Sequence, residues 1–363
     1  MKSSSCQWAG PAGWVIWFGM ALSCLTAIAD EDAPRQSADA LLQRISDAVN
    51  SMNYRGTLIR SVDGRINSML VIHSNDDGLV RERLVAMDGE GREIIRVGDE
   101  LICLYPNRRV KLIETNATPS NAFVRLPAVL SDLNRFYQIE ARGRDRIANR
   151  RALKYLVRPR DAYRYGHQLW VDEKTMLPLK MQLLSRSRVI EEIRFSDIEI
   201  GIEIPEQAFV SEIDSSEFRV IRAGTMPNTM RPTSTETLTA APASATEMSG
   251  GEWPAEASPG FRLRAKQTSV VTINGQVTQR MVFSDGLATV SVFIGSRPSG
   301  DNAQSERRTS QTARMGAAHS YQRQVGNKTV TLVGEVPVET LQMLAEQAER
   351  QMLGKPVDSE NTR

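Results

Sequence analysis

The residues of this chain best equipped for chemistry are a run of arginines. Arg142, Arg144, Arg146, Arg150, Arg151, Lys154, Arg158, Arg160 and Arg164 fall within one short stretch, against Asp145 and Asp161 inside it. The planar guanidinium presents paired N–H donors that match phosphate and carboxylate oxygens. Such a stretch suits an anionic ligand such as a lipid phosphate, lipopolysaccharide or an acidic protein segment. The plainer reading is a solvated charged face. Over the whole chain, 45 basic residues stand against 43 acidic ones. That balance argues against nucleic acid as a partner.

Catalytic chemistry finds little support. The chain has no Gly-x-Ser-x-Gly elbow, no His-Glu-x-x-His, no phosphate-binding loop and no dinucleotide fingerprint. Its three histidines, His73, His167 and His319, are far apart, each in or beside an expected strand. Cys103 sits inside the apolar run Leu101–Tyr105, where a thiol behaves as a small hydrophobe. No metal, cofactor or catalytic residue is expected. The chain is read as a binding protein, with a cell-envelope hydrolase a distant alternative.

The elements that must position the arginines are mostly strands. Ser37 to Met52 has helical spacing in Leu41, Ile45, Ala48, Val49 and Met52. From Tyr54 the period becomes two. Strands are expected near 55–61, 66–73, 79–87, 92–97, 100–105 and 110–114, punctuated by turns such as Asp63-Gly64 and Asp76-Asp77-Gly78. A helix is expected at 120–135, then strands near 136–141, 152–158, 166–172, 178–186 and 188–198. The Thr-, Ser-, Ala- and Pro-rich stretch from Thr225 to Pro259 holds too little apolar surface to offset its ordering entropy, so its centre reads as a flexible linker. Strands return between 261 and 335, broken by a polar loop at Asp301–Thr312. Pro337 then opens a last helix with Leu341, Leu344, Ala345, Ala348 and Met352 on one stripe. The fold class is α+β, predominantly antiparallel β.

Alternation places Leu169, Val171, Leu179, Met181, Leu183, Ile193 and Phe195 on one face, with Trp170 on the other. A strongly curved sheet could make that face a lipid groove, rimmed by Arg144, Arg150, Arg151 and Arg158. Packing against the two flanking helices explains most of the same residues without a ligand.

The first residues indicate export. Lys2 precedes the apolar run Trp14–Leu25, and Ala27-Ile28-Ala29 offers small residues at both positions that a signal peptidase reads, with cleavage expected between Ala29 and Asp30. An uncleaved anchor or a lipoprotein acylated at Cys24 fits less well. No later segment is apolar for long enough to span a bilayer, so a periplasmic protein with no membrane span after cleavage is expected. Cys103 alone would then remain, which excludes an internal disulfide.

Three segments carry a family resemblance. The run Gln168–Lys180 (QLWVDEKTMLPLK) resembles the paired strands of periplasmic lipoprotein-carrier-like (LolA-like) domains. Phe283–Ile294 (FSDGLATVSVFI) and Val330–Pro337 (VTLVGEVP) resemble the C-terminal domain of the RseB/MucB regulators. The resemblance implies a signal peptide at 1–29, a half-open β-barrel domain with helices at 30–215, a linker at 216–258, a smaller sheet with a terminal helix at 259–355, and a tail at 356–363. It also implies a function. Such a protein binds the periplasmic region of a membrane-anchored anti-sigma factor, shields it from site-1 proteolysis, and keeps the envelope-stress sigma factor of the sigma-E/AlgU type inactive. Lipid or lipopolysaccharide is the implied releasing ligand. The partner surface would include Phe283, Asp285, Gly286, Leu287 and Phe293. Homo-oligomers fit this reading, and a periplasmic lipid or lipoprotein carrier is the main alternative.

Overall fold

The structure is a computed structural model that describes residues 38–115, 133–223, 256–257, 260–264, 269–273, 276–296 and 310–353. The signal segment, residues 120–132 of the expected second helix, residues 301–309 and most of the linker lie outside the described residues. Helix α1 (Ala38–Ser51) leads into β1 (Tyr54–Val62), β2 (Arg65–Asp76), β3 (Leu79–Ala86), β4 (Glu93–Val97), β5 (Glu100–Tyr105) and β6 (Val110–Glu114). One turn of helix, α2 (Leu133–Phe136), precedes β7 (Tyr137–Ile147), β8 (Arg150–Pro159), β9 (Gly166–Asp172), β10 (Pro178–Ser185) and β11 (Arg188–Ile200). These strands make an antiparallel meander because nearly every join is a tight turn. Asp63-Gly64 and Asp77-Gly78 both adopt the positive φ that such turns require.

The sheet runs β6-β5-β4-β3-β2-β1-β11-β10-β9-β8-β7, so β1 and β11 meet in the middle. β12 (Arg219–Ala223) extends it by pairing parallel to β6. That corrects the expected linker at 216–258, whose first residues belong to the large sheet. A five-residue strand paired across a long sequence gap leaves no turn signal to read. The sheet is a half-open barrel that does not close. Its apolar face packs on Leu41, Leu42, Ile45, Ala48 and Val49 of α1, which meet Tyr54, Leu58, Val71, Leu169, Val171 and Phe195 in one core.

The second sheet holds β13 (Glu256–Ala257), β14 (Phe261–Leu263), β15 (Ser269–Ile273), β16 (Gln276–Ser284), β17 (Thr289–Ser296), β18 (Ser310–Met315), β19 (Ala318–Val325) and β20 (Lys328–Gly334). Strand β18 begins inside the expected Asp301–Thr312 loop, where Ser310 and Thr312 pair with Arg323 and Tyr321. Helix α3 (Val338–Met352) starts at Pro337 and buries Leu341, Leu344, Ala345 and Ala348. These residues pack on Val290, Val292, Leu332 and Tyr321, forming a second core separate from the first.

Candidate binding site

The residues expected to line a groove divide among three environments. Leu169, Val171 and Phe195 lie in the core under α1, with Met181 and Ile193 half-buried against it. Leu179 points the other way, where it packs with Trp170 and Ala152. A β-bulge causes this: Pro178 pairs with Val171 but Lys180 with Trp170, so the extra residue reverses the alternation. Leu183 joins Tyr165, Ile190 and Ala317, a cluster that reaches the second sheet. The face is therefore a packed core under a helix. An acyl chain could use it only where α1 lifts away.

The arginines from Arg142 to Arg158 lie on β7 and β8, and carboxylates of β7, of the end of β9 and of the turn after it meet them. Arg144 and Arg151 both pair with Glu173, at 3.0 and 2.9 Å. Arg158 lies 3.4 Å from Glu140, which Arg142 also contacts. Arg150 is different in kind. It donates at 2.7 Å to Asp172, a buried carboxylate that also accepts from the Thr175 backbone and hydroxyl. The Asp172 pKa is lowered by these bonds against the opposing effect of burial. Arg150 is thus structural, while Arg144, Arg151 and Arg158 are more than half exposed. Trp170 forms a platform beside them, with Lys154 and Lys180 ammonium groups 4.9 and 4.7 Å from its ring and its Nε1–H donating to Asp145.

A polar row crosses four strands at one end of the face that packs under α1. Tyr54 pairs with His73, His73 with Glu82, and Glu82 with Arg96. All four are buried. Tyr54 and His73 stack at 4.8 Å, and His73 Nδ1 donates to Met52 O just beyond the end of α1. Nε2 of His73 has no hydrogen-bond partner among the described residues. Burial pushes the Glu82 carboxyl up to about 7 although Arg96 opposes it. Burial also lowers the His73 pKa. Nothing in the sequence announced this row, because its members are related only through strand register.

The expected partner residues lie at the junction of the sheets. Phe283 is fully buried in the second core. Asp285 caps its own turn through Oδ1, which accepts from the Leu287 and Ala288 N–H groups at 2.9 and 2.8 Å. Its Oδ2 accepts from Tyr137 Oη at 3.0 Å and from Arg164 Nε at 2.5 Å. Arg164 has left the exposed cluster entirely: its side chain is 0% exposed. It also pairs with Asp161, and its guanidinium lies over Phe136 and Phe261, 4.3 and 4.9 Å from the ring centroids. Gly286 takes φ +108 against Leu133, and Leu287 packs on the first core. Of the five, only Phe293 sits on the sheet face opposite α3, half-buried and cross-strand from Thr331. Nearby, His167 is held neutral by burial, its pKa lowered to about 4 despite Asp285.

Two clefts flank these features. One of about 670 Å³ lies between β1, β11 and the β7–β8 turn, with Arg55, Asn149, Arg150, Asp197 and Glu199 in its wall. The other, of about 380 Å³, runs along the junction between the β1–β2 turn, β11 and Arg314. Both mix charges of either sign. No group of acids, histidines and cysteines suited to a metal ion occurs among the described residues. No described helix is long and apolar enough to cross a membrane.

A helix-lidded half-barrel joined through a buried polar junction to a second sheet is the architecture of a two-lobed regulatory binding protein. Family models for the MucB/RseB N-terminal domain and the MucB/RseB C-terminal domain match residues 37–236 and 248–349. The chain belongs to the MucB/RseB family, whose members are regulatory binding proteins and not enzymes. The sigma factor AlgU regulatory protein MucB of Pseudomonas aeruginosa is 28% identical over 315 residues, covering 85% of this chain and 90% of its own. The sigma-E factor regulatory protein RseB of Salmonella typhimurium is 24% identical over 344 residues, covering 91% and 96%. A crystal structure of MucB in complex with MucA(peri) shares the fold with a TM-score of 0.61 at 24% identity, over 85% of this chain and 97% of that one.

Proposed function

We propose that this chain is a periplasmic regulator that binds the periplasmic region of a membrane-anchored anti-sigma factor and shields it from site-1 proteolysis. The envelope-stress sigma factor then stays sequestered. The observation that carries this reading is the family match, which runs through both sheets in order. The solved relative in complex with MucA(peri) supports the class of partner. A lipid or lipoprotein carrier would have no evident use for a second sheet docked through a buried junction.

Release by lipid or lipopolysaccharide forms the second part of the proposal. Arg144, Arg151 and Arg158 are the exposed members of the rim, and their carboxylate partners on the surface hold them weakly, by about 0–1 kcal/mol each. A multiply phosphorylated headgroup could displace Glu140 and Glu173 there. Its acyl chains would enter beside Met181 and Ile193, displacing α1 from Leu169, Val171 and Phe195. A ligand releases the partner only through its different affinities for the two states, typically about 1–3 kcal/mol of coupling. For the partner itself, Phe293 and the adjacent exposed Val333 are the apolar residues of this region that are open to contact. The test is titration calorimetry of the mature protein against the periplasmic segment of the anti-sigma factor encoded by the same organism. Saturable one-to-one binding that weakens with added lipopolysaccharide is expected. Absence of binding at about 100 μM would reject the regulator reading.

A further inference from the structure

We propose that Arg164 and Asp285 form a polar latch holding the two sheets docked, and that separating this pair lets the lobes part while each keeps its own core. The first support is the division of the apolar residues. The core under α1 and the core under α3 are distinct, and Leu287 is the residue of the second lobe that packs on the first core. The second is the concentration of buried charge. Arg164 and Asp285 side chains are both 0% exposed, and Tyr137 Oη closes on the same Asp285 oxygen. The rest of the junction mixes apolar and polar contacts: Ala317 packs on Tyr165, Leu183 and Ile190, and the Phe136 and Phe261 rings flank Arg164. Thr340 donates to Tyr163 O at 2.6 Å, Arg314 pairs with Asp63 at 2.8 Å on the rim, and Tyr165 lies 3.3 Å from His319 Nδ1. Gly260 adopts φ +84 against the Phe136 ring, where any Cβ would overlap it.

Apolar packing of the same volume would hold two lobes at least as firmly, since burying both charges costs most of what their attraction returns. What the pair supplies is one docked geometry and a reversible release. Once separated, each charge regains water, which offsets part of the cost of exposing Phe261 and the Leu183 cluster. Removing the Asp285 charge takes one of two carboxylates from the buried Arg164 and leaves Asp161, which shifts the docked-to-parted ratio by about tenfold to a hundredfold.

The test uses the full mature chain with Cys103→Ala and spin labels at Val97→Cys and Leu353→Cys, both exposed positions in different lobes. The parent should give one narrow distance by pulsed electron resonance. Asp285→Asn should add a longer, broader population with far-UV dichroism unchanged. Tyr137→Phe, which keeps the ring, should move the same ratio about tenfold or less. A single narrow distance in Asp285→Asn would overturn the latch. So would loss of secondary structure in both variants, which would mean that the junction is part of one common core. No partner or lipid enters the measurement, so its outcome is independent of the regulator reading.

Discussion

Replacing Glu82 by Gln should make stability fall more steeply with acid, even though it removes a buried carboxyl. Glu82 titrates in the folded protein at about 7 against an ordinary 4.5, because burial disfavours its charged form. The folded state therefore holds a proton that the unfolded chain has released. Stability from this group is fully present below pH 4.5 and is lost as pH rises through 7, an amount of about 3 kcal/mol. His167 does the reverse. Its folded pKa is lowered to about 4 from 6.5, so its contribution is present above 6.5 and is lost as pH falls through 4, again by about 3 kcal/mol. The two nearly cancel between about pH 7 and 5, and the lowered His73 tilts the sum toward loss in acid. Urea unfolding of the parent, Glu82→Gln and His167→Asn at about pH 8, 6.5 and 5 would read these slopes. Slopes are compared, so the fixed cost of altering a buried site drops out. Glu82→Gln should lose roughly 3 kcal/mol more than the parent on acidification, and His167→Asn should gain. Parallel curves for parent and Glu82→Gln would refute the buried-carboxyl argument.

Three further outcomes are open to direct measurement. Leu41→Ala, at a site 1% exposed beneath α1, should cost about 2–5 kcal/mol by chemical denaturation and loosen the helix over Leu169 and Val171. Changing Arg144, Arg151 and Arg158 together to Ala should cost less than about 1 kcal/mol of stability yet blunt lipopolysaccharide-triggered release, whereas Arg150→Ala should destabilise the fold by stranding Asp172; thermal melts and a release assay separate the two. Mass spectrometry of the exported protein should place Asp30 at the N-terminus, and a retained Met1 would contradict cleavage after Ala29.

Most strands of the large sheet were legible because turn residues separate them. Asp63-Gly64, Asp77-Gly78 and Gly98 mark the joins, and β1 to β11 fall within three residues of the periodicity except β7, which runs six residues past its expected end to Ile147. What alternation could not foresee was a single inserted residue. The bulge at Leu179 turned a groove candidate toward Trp170. Charge counting along the chain also misled, since it weighed the arginines against acids of the same stretch. Glu140 precedes the stretch, but the partners Asp172, the last residue of β9, and Glu173 just after it are beside β8 in space and not in sequence. The junction was half visible. Ser284-Asp285-Gly286-Leu287 stood out as a motif, yet its bond to Arg164 joins residues 121 positions apart. Partner contact and interdomain contact leave the same mark on a sequence, a polar turn between apolar strands.

Protection of a bound anti-sigma segment is the property that most directly separates a regulator from a carrier. The mature protein, mixed with the periplasmic region of the anti-sigma factor and its site-1 protease, should slow cleavage at least about tenfold at saturation, and lipopolysaccharide should restore the rate. Cleavage at the same rate with and without the protein, under conditions where it is folded and in excess, would contradict a shielding role.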